Sequence, residues 1–209
     1  MSIADGTFKT FEADHYGFPL HTGNMYIEDD IVTVDFEMTT IAKDPFKVFA
    51  RKEYINNPDR VNQANGSVYR RYNINLKTEE VTYSDTLSGG EEGVGFPKFN
   101  PTFAGKKSCF SYINELFFTA QKTSIVKIDH CKGTETRWIE PGVWVSEPYF
   151  VDDPTSEKED AGFIMVSVFD DKLGKNRFLM IDAETMLATS DTELPMRIPM
   201  SLHQQWFPS

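Results

Sequence analysis

The sequence holds only two cysteines in 209 residues, no long apolar run and no excess of basic charge. Each shortage excludes a class of protein. Cys109 and Cys131 fall in separate strand-like segments without CxxC spacing, so two free buried thiols are expected rather than a disulfide or a zinc site. A membrane-spanning helix needs about eighteen consecutive apolar residues, and no such stretch occurs. The opening Met1-Ser2-Ile3-Ala4-Asp5 lacks a basic segment followed by an apolar one, so no secretory signal is read and a cytoplasmic location is expected. Lys and Arg number 21 against 32 Asp and Glu, a formal net charge of -11. That balance argues against a nucleic-acid partner, because phosphate binding needs clustered cations to displace counterions. Asn65-Gly66-Ser67 matches a glycosylation sequon, but without a signal peptide it reads as a turn.

What the chain does have is apolar and aromatic content, 40% and 13%, enough to bury a core. One domain over residues 1–209 is expected. No long segment keeps a helical period, whereas alternation is frequent. Val32, Val34, Phe36 and Met38 share one face of a segment whose other face carries Thr33, Asp35 and Glu37, the pattern of a half-buried strand. Similar signals run from Val68 to Leu76, Ser124 to Asp129, Phe163 to Phe169 and Arg177 to Asp182. The chain reads as all-β.

Three segments repeat one order of strand, polar turn and strand, centred on Ile74, Ile128 and Ile181, which are 54 and 53 positions apart. A period of about fifty residues carrying several short strands is the signature of a propeller blade. The Asn75, Asp129 or Asp182 that follows each Ile is expected to open a hairpin turn through its side-chain acceptor. Val34-Asp35 is read as a fourth, degenerate copy, followed by an irregular connection from Lys43 to Asn65. The expectation is a β-propeller present in part, about three to four blades, with its beginning missing rather than closed as a very small ring.

His21 begins His21-Thr22-Gly23-Asn24-Met25-Tyr26-Ile27-Glu28, and His203 stands near the other end in Ser201-Leu202-His203-Gln204-Gln205-Trp206-Phe207. By spacing alone each is a surface or satisfied core histidine. Between them lie Phe96-Pro97-Lys98-Phe99-Asn100, then Gly105-Lys106-Lys107, Ser146-Glu147-Pro148-Tyr149-Phe150-Val151 and Glu159-Asp160-Ala161-Gly162. In their order and spacing these motifs resemble those of the carotenoid cleavage oxygenases, the family that includes β-carotene oxygenases and the retinoid isomerase of the vertebrate eye. The resemblance runs essentially end to end and identifies the chain as the C-terminal part of a seven-bladed propeller.

That resemblance implies an Fe(II) centre held by four neutral imidazoles, with His21 and His203 as the third and fourth and the first two upstream of this chain. It makes Glu147 the carboxylate that holds the second N–H of His203. One extra residue, Ile27, separates the motif's aromatic from its acid. Where the family carries a Glu before Phe96-Pro97 this chain has Gly95, with Glu91 and Glu92 out of register, so His21 is expected to lack its usual carboxylate. His15 and His130 match no ligand position. Phe18, Phe103, Phe110, Tyr112, Phe117, Phe118, Trp144 and Trp206 are candidates to line a polyene tunnel, with Phe103 and Trp144 singled out as substrate contacts, although most are read as blade core.

The activity implied is oxidative cleavage by O2 of a double bond in a carotenoid or apocarotenoid, giving aldehyde or ketone products. A peripheral membrane contact in the full-length protein belongs to the same implication. The alternatives are retinyl-ester isomerohydrolase chemistry on the same metal, a non-catalytic propeller that binds apocarotenoid or protein, and a fragment whose activity belongs to a longer product. No acid–base pair or nucleophile is evident.

Overall fold

The computed structural model describes residues 4–14, 17–39, 67–88, 93–117, 122–199, 203 and 207. The connection from Lys43 to Asn65, the Asn65-Gly66 turn, His15, Glu91, Glu92, Phe118 and Trp206 lie outside the described residues. Among the described residues thirteen strands form three antiparallel sheets, and no α-helix occurs. β1 (Phe18–Glu28), β2 (Ile31–Thr39), β3 (Ser67–Asn75) and β4 (Val81–Ser88) make the first sheet in sequence order. β5 (Val94–Lys98), β6 (Phe110–Phe117), β7 (Lys122–Asp129) and β8 (Thr134–Ile139) make the second. In the third, β9 (Val143–Val145) and β10 (Tyr149–Asp152) both pair with β11 (Gly162–Asp170), followed by β12 (Lys175–Asp182) and β13 (Ala188–Glu193).

The repeat seen in the sequence is the third strand of each sheet. Ile74, Ile128 and Ile181 sit one residue before the ends of β3, β7 and β12. Asn75 Oδ1 accepts from the N–H groups of Lys77 and Thr78, and Asp129 Oδ1 from those of Cys131 and Lys132. Asp182 Oδ1 accepts from the N–H and hydroxyl of Thr185. A short acceptor side chain thus stands in for a backbone carbonyl in three equivalent turns. The proposed fourth copy is not a turn. β2 runs straight through Val34-Asp35, because Asp35 is fully buried and holds Arg71 of β3 in a bidentate pair at 2.7 and 2.8 Å.

The sheets stack through apolar clusters. Tyr69 of the first sheet packs with Val94, Ile113, Val126 and Ile128 of the second. Tyr112 and Ile125 of the second join Val145, Ile164, Leu179 and Ile181 of the third. β2 is buried on both faces rather than on one: Val34 and Met38 enter a cluster, while Thr33, Asp35 and Glu37 are buried as well. Its polar residues are matched to partners instead of to water, which offsets the desolvation of the charged ones.

Among the described glycines, Gly23 and Gly162 mark the two closest approaches. A Cβ on Gly23 would stand 2.0 Å from Tyr69 Oη, and one on Gly162, at φ +144°, would stand 2.2 Å from the Val151 carbonyl. Cys109 and Cys131 form a disulfide, against the expectation of free thiols. The reason is register. Phe110 and Asp129 are partners across β6 and β7, the His130 N–H donates to the Cys109 carbonyl, and the turn after β7 brings Cys131 beside Cys109 with Cα atoms 5.2 Å apart. No helix among the described residues is long and apolar enough to cross a membrane.

Candidate metal centre

The opening strand of each sheet is irregular where a candidate residue sits. β1 changes register between Pro19 and His21 and again between Thr22 and Met25. β5 does so between Gly95 and Lys98, with Phe96 at φ +55°. In the third sheet the opening position is broken into β9 and β10, and Ser146-Glu147-Pro148 fills the break. Bulges of this kind interrupt a ladder and re-aim side chains.

His21 lies directly opposite Glu37 in the β1–β2 register, and its Nδ1 is 2.6 Å from Glu37 Oε2. The imidazole is 31% exposed and the carboxylate 5%. The same Oε2 accepts from the Phe96 N–H at 3.2 Å. His21 therefore has a carboxylate after all, supplied from β2 rather than from position 95. The hydrogen bond to Glu37 raises the His21 pKa above its ordinary value, against burial, which lowers it.

His203 Nδ1 is 3.4 Å from Glu147 Oε2, with the imidazole 69% and the carboxylate 2% exposed. Glu147 is shared, since its other oxygen is ion-paired with Lys98 Nζ. Burial pushes the Glu147 carboxyl up, but the bond and charge of Lys98, together with His203, bring it below the usual carboxylate range. The two rings meet edge-on with centroids 5.6 Å apart. Phe96 lies against both, at 5.0 Å from His21 and 6.2 Å from His203. Both Nδ1 atoms face carboxylates, which leaves Nε2 as the donor nitrogen of each ring. As donors, two neutral imidazoles fit one side of an iron centre. Among the described residues no group of three or more His, Cys, Asp or Glu forms a metal cluster.

Of the residues expected at the site, His21, His203 and Glu147 converge. Phe103 ends a 3₁₀ turn, Pro101–Phe103, and its carbonyl accepts from Asn24 Nδ2. Trp144 borders a cavity of about 10 Å³ with Ser146, Ser167 and Asn176. His130 is held away from the histidine pair, bonded through Nε2 to Ser111 Oγ. Burial first, then the charge of Arg71, lowers its pKa to about 4. Glu37 and Phe96 were missed as site residues. Glu37 reads as the solvated face of an alternating strand, and Phe96 as one residue of a motif.

Several motif residues are architectural. Asn24 Nδ2 donates to the carbonyls of Phe103 and Lys106 and to Ser108 Oγ, while its Oδ1 accepts from Gly105 N–H. Glu28 pairs with Lys107 at 2.7 Å. Asn100 Nδ2 donates to the Glu159 carbonyl, and the Glu159 carboxylate accepts from Cys109 and Phe110 N–H. These bonds tie the loop before β6 to the first and third sheets.

The family model described as retinal pigment epithelial membrane protein matches residues 3–208. A mitochondrial carotenoid-cleaving dioxygenase of Mustela putorius furo is 34% identical over 145 residues, 68% of this chain and 25% of that protein. A chloroplastic 9-cis-epoxycarotenoid dioxygenase of Oryza sativa subsp. japonica is 29% identical over 147 residues, 66% of this chain and 23% of that protein. Cobalt-substituted Synechocystis ACO superposes with a TM-score of 0.81 at 21% identity, over 98% of this chain and 42% of that one. An ACO/RPE65 chimera does so with a TM-score of 0.79 at 20% identity, over 96% and 41%. The chain spans about a quarter of these curated relatives and about two fifths of these solved structures.

Proposed function

The chain belongs to the retinal pigment epithelial membrane protein family, that of the carotenoid cleavage oxygenases, and on this premise we propose that it is the C-terminal part of an Fe(II)-dependent dioxygenase. Each of the three sheets is one blade of a seven-bladed propeller, and residues 1–209 belong to that one domain. His21 and His203 are two of its four imidazole ligands. The observation that carries this reading is the meeting of two imidazoles from opposite ends of the chain, each with a carboxylate at Nδ1.

The substrate class is a carotenoid or apocarotenoid. Addition of O2 across one C=C bond places one oxygen atom in each of two carbonyl products, so no net proton transfer is required. Iron, when bound, supplies the site of O2 activation. The rest falls to the chain. Glu37 and Glu147 accept the Nδ1–H of their histidines and so keep each Nε2 lone pair available. Phe96 covers both rings with apolar surface and keeps water from that side. Phe103 and Trp144 are the proposed substrate contacts. A cytoplasmic location and a peripheral membrane contact of the full-length protein complete the proposal.

Anaerobic Fe(II) reconstitution tests it. About one iron per chain, lost in His21→Ala and in His203→Ala, with carbonyl products from a carotenoid under O2, is expected. Iron content unchanged in both variants overturns the ligand assignment. A propeller that binds apocarotenoid or protein without metal is the second reading. It predicts polyene binding with no specific iron.

A further inference from the structure

Gly95 of β5 is buried, and its backbone does not lie in the left-handed region. A Cβ built there would sit 3.7 Å from each carboxylate oxygen of Glu37, an ordinary contact. A longer side chain from position 95 would therefore run into the space that the Glu37 carboxylate fills. Glu37 itself is 4% exposed and spans from β2 to His21 Nδ1 and the Phe96 N–H, linking β1, β2 and β5 at one atom.

We propose that Glu37 is the positioning carboxylate of His21, and that positions 37 and 95 are alternative sources of one carboxylate for one imidazole, filled here from the strand and left empty at Gly95. The inference rests on His21 being a metal ligand only for its consequence, not for its geometry. Glu37 acts through His21: it fixes the Nδ1–H tautomer, which directs Nε2 towards the metal. Phe96 N–H holds the carboxylate in place by donating to the same oxygen. Two carboxylates at 37 and 95 together would crowd and repel in one buried space, whereas either alone would serve.

The test compares wild type, Glu37→Ala, Gly95→Glu and the double variant Glu37→Ala/Gly95→Glu in two readouts. One is the His21 tautomer by ¹⁵N NMR without metal, in mildly alkaline buffer where the ring is neutral. The other is Co(II) affinity followed by its visible absorption. The Nδ1–H tautomer should dominate in wild type, be lost in Glu37→Ala and return in the double variant. Co(II) affinity should fall about ten- to a hundredfold in Glu37→Ala and recover in the double variant. Gly95→Glu alone should bind worse than the double variant. Thermal unfolding confirms that each variant folds. An unchanged tautomer in Glu37→Ala, or a folded double variant with no recovery, overturns the inference. If instead Glu37 governs the tautomer while wild type binds no Co(II), the metal reading falls and the positioning role stands.

Discussion

His21 and Glu37 are register partners across the β1–β2 hairpin, whereas His203 reaches Glu147 from outside any strand, at a residue that fills the gap between β9 and β10. The first pair is 2.6 Å apart with a carboxylate given to His21 and the Phe96 N–H. The second is 3.4 Å apart, and its carboxylate is divided between His203 and Lys98. A contact between ladder partners adds little ordering cost, because hydrogen bonds to the neighbouring strand already fix both backbones. A contact built from loops must order its own backbone. One chemical unit, an imidazole steered by a carboxylate, is thus held by a sheet on one side of the site and by connecting segments on the other.

The change expected to break this comparison most severely is Gly23→Ala. The new methyl would collide with Tyr69 Oη, displace β1 two residues from His21 and cost more than about 3 kcal/mol, read by chemical denaturation. His203 and Glu147 do not touch that contact, so residual metal binding should depend on them.

Removing the disulfide sharpens the comparison from the second sheet, which carries neither histidine. Cys131→Ser opens a loop closed at a sequence separation of 22 and should cost about 3 kcal/mol of stability. Metal affinity of the folded protein should not change.

Acid gives a smaller effect by a similar route. The folded pKa of His130, about 4, lies below the unfolded value of about 6.5, so the unfolded chain takes up a proton first. Stability from the neutral ring is full above about pH 6.5 and is lost as the pH falls towards 4, a decline of about 2 kcal/mol by about pH 5. His130→Gln should flatten the decline in a pH series of denaturation midpoints.

The smallest expected effect tightens the looser pair. Lys98→Met frees the Glu147 carboxylate for His203, and metal affinity should rise by up to about tenfold, or 1.4 kcal/mol. An affinity that falls instead would mean that the Lys98 pair orients Glu147 towards His203.

The legible part of the fold was local. Alternation marked β3, β7, β11 and β12 to within about two residues, and the Ile-Asp or Ile-Asn step marked three equivalent turns. Each signal is read within one strand and its own turn. The motifs also placed His21, His203 and Glu147 in one neighbourhood. Other features were not legible because they depend on pairing. Asp35 and Glu37 have the pattern of a wet face, and only the covering second sheet makes that face dry. Cys109 and Cys131 are separate in sequence, and only the β6–β7 pairing together with the turn after β7 brings them into reach. The absent Glu at Gly95 suggested an unsupported His21, because its replacement stands on another strand.

By itself the sequence determined the all-β class, the period of about fifty residues, the turn chemistry and the histidine and carboxylate side chains available, since these follow from side-chain periodicity and residue type. Tertiary structure alone decided which carboxylate serves which histidine, which cysteines join and which ring covers the site. Those choices rest on register between strands distant in sequence, where a slip of one residue would turn every partner to the opposite face.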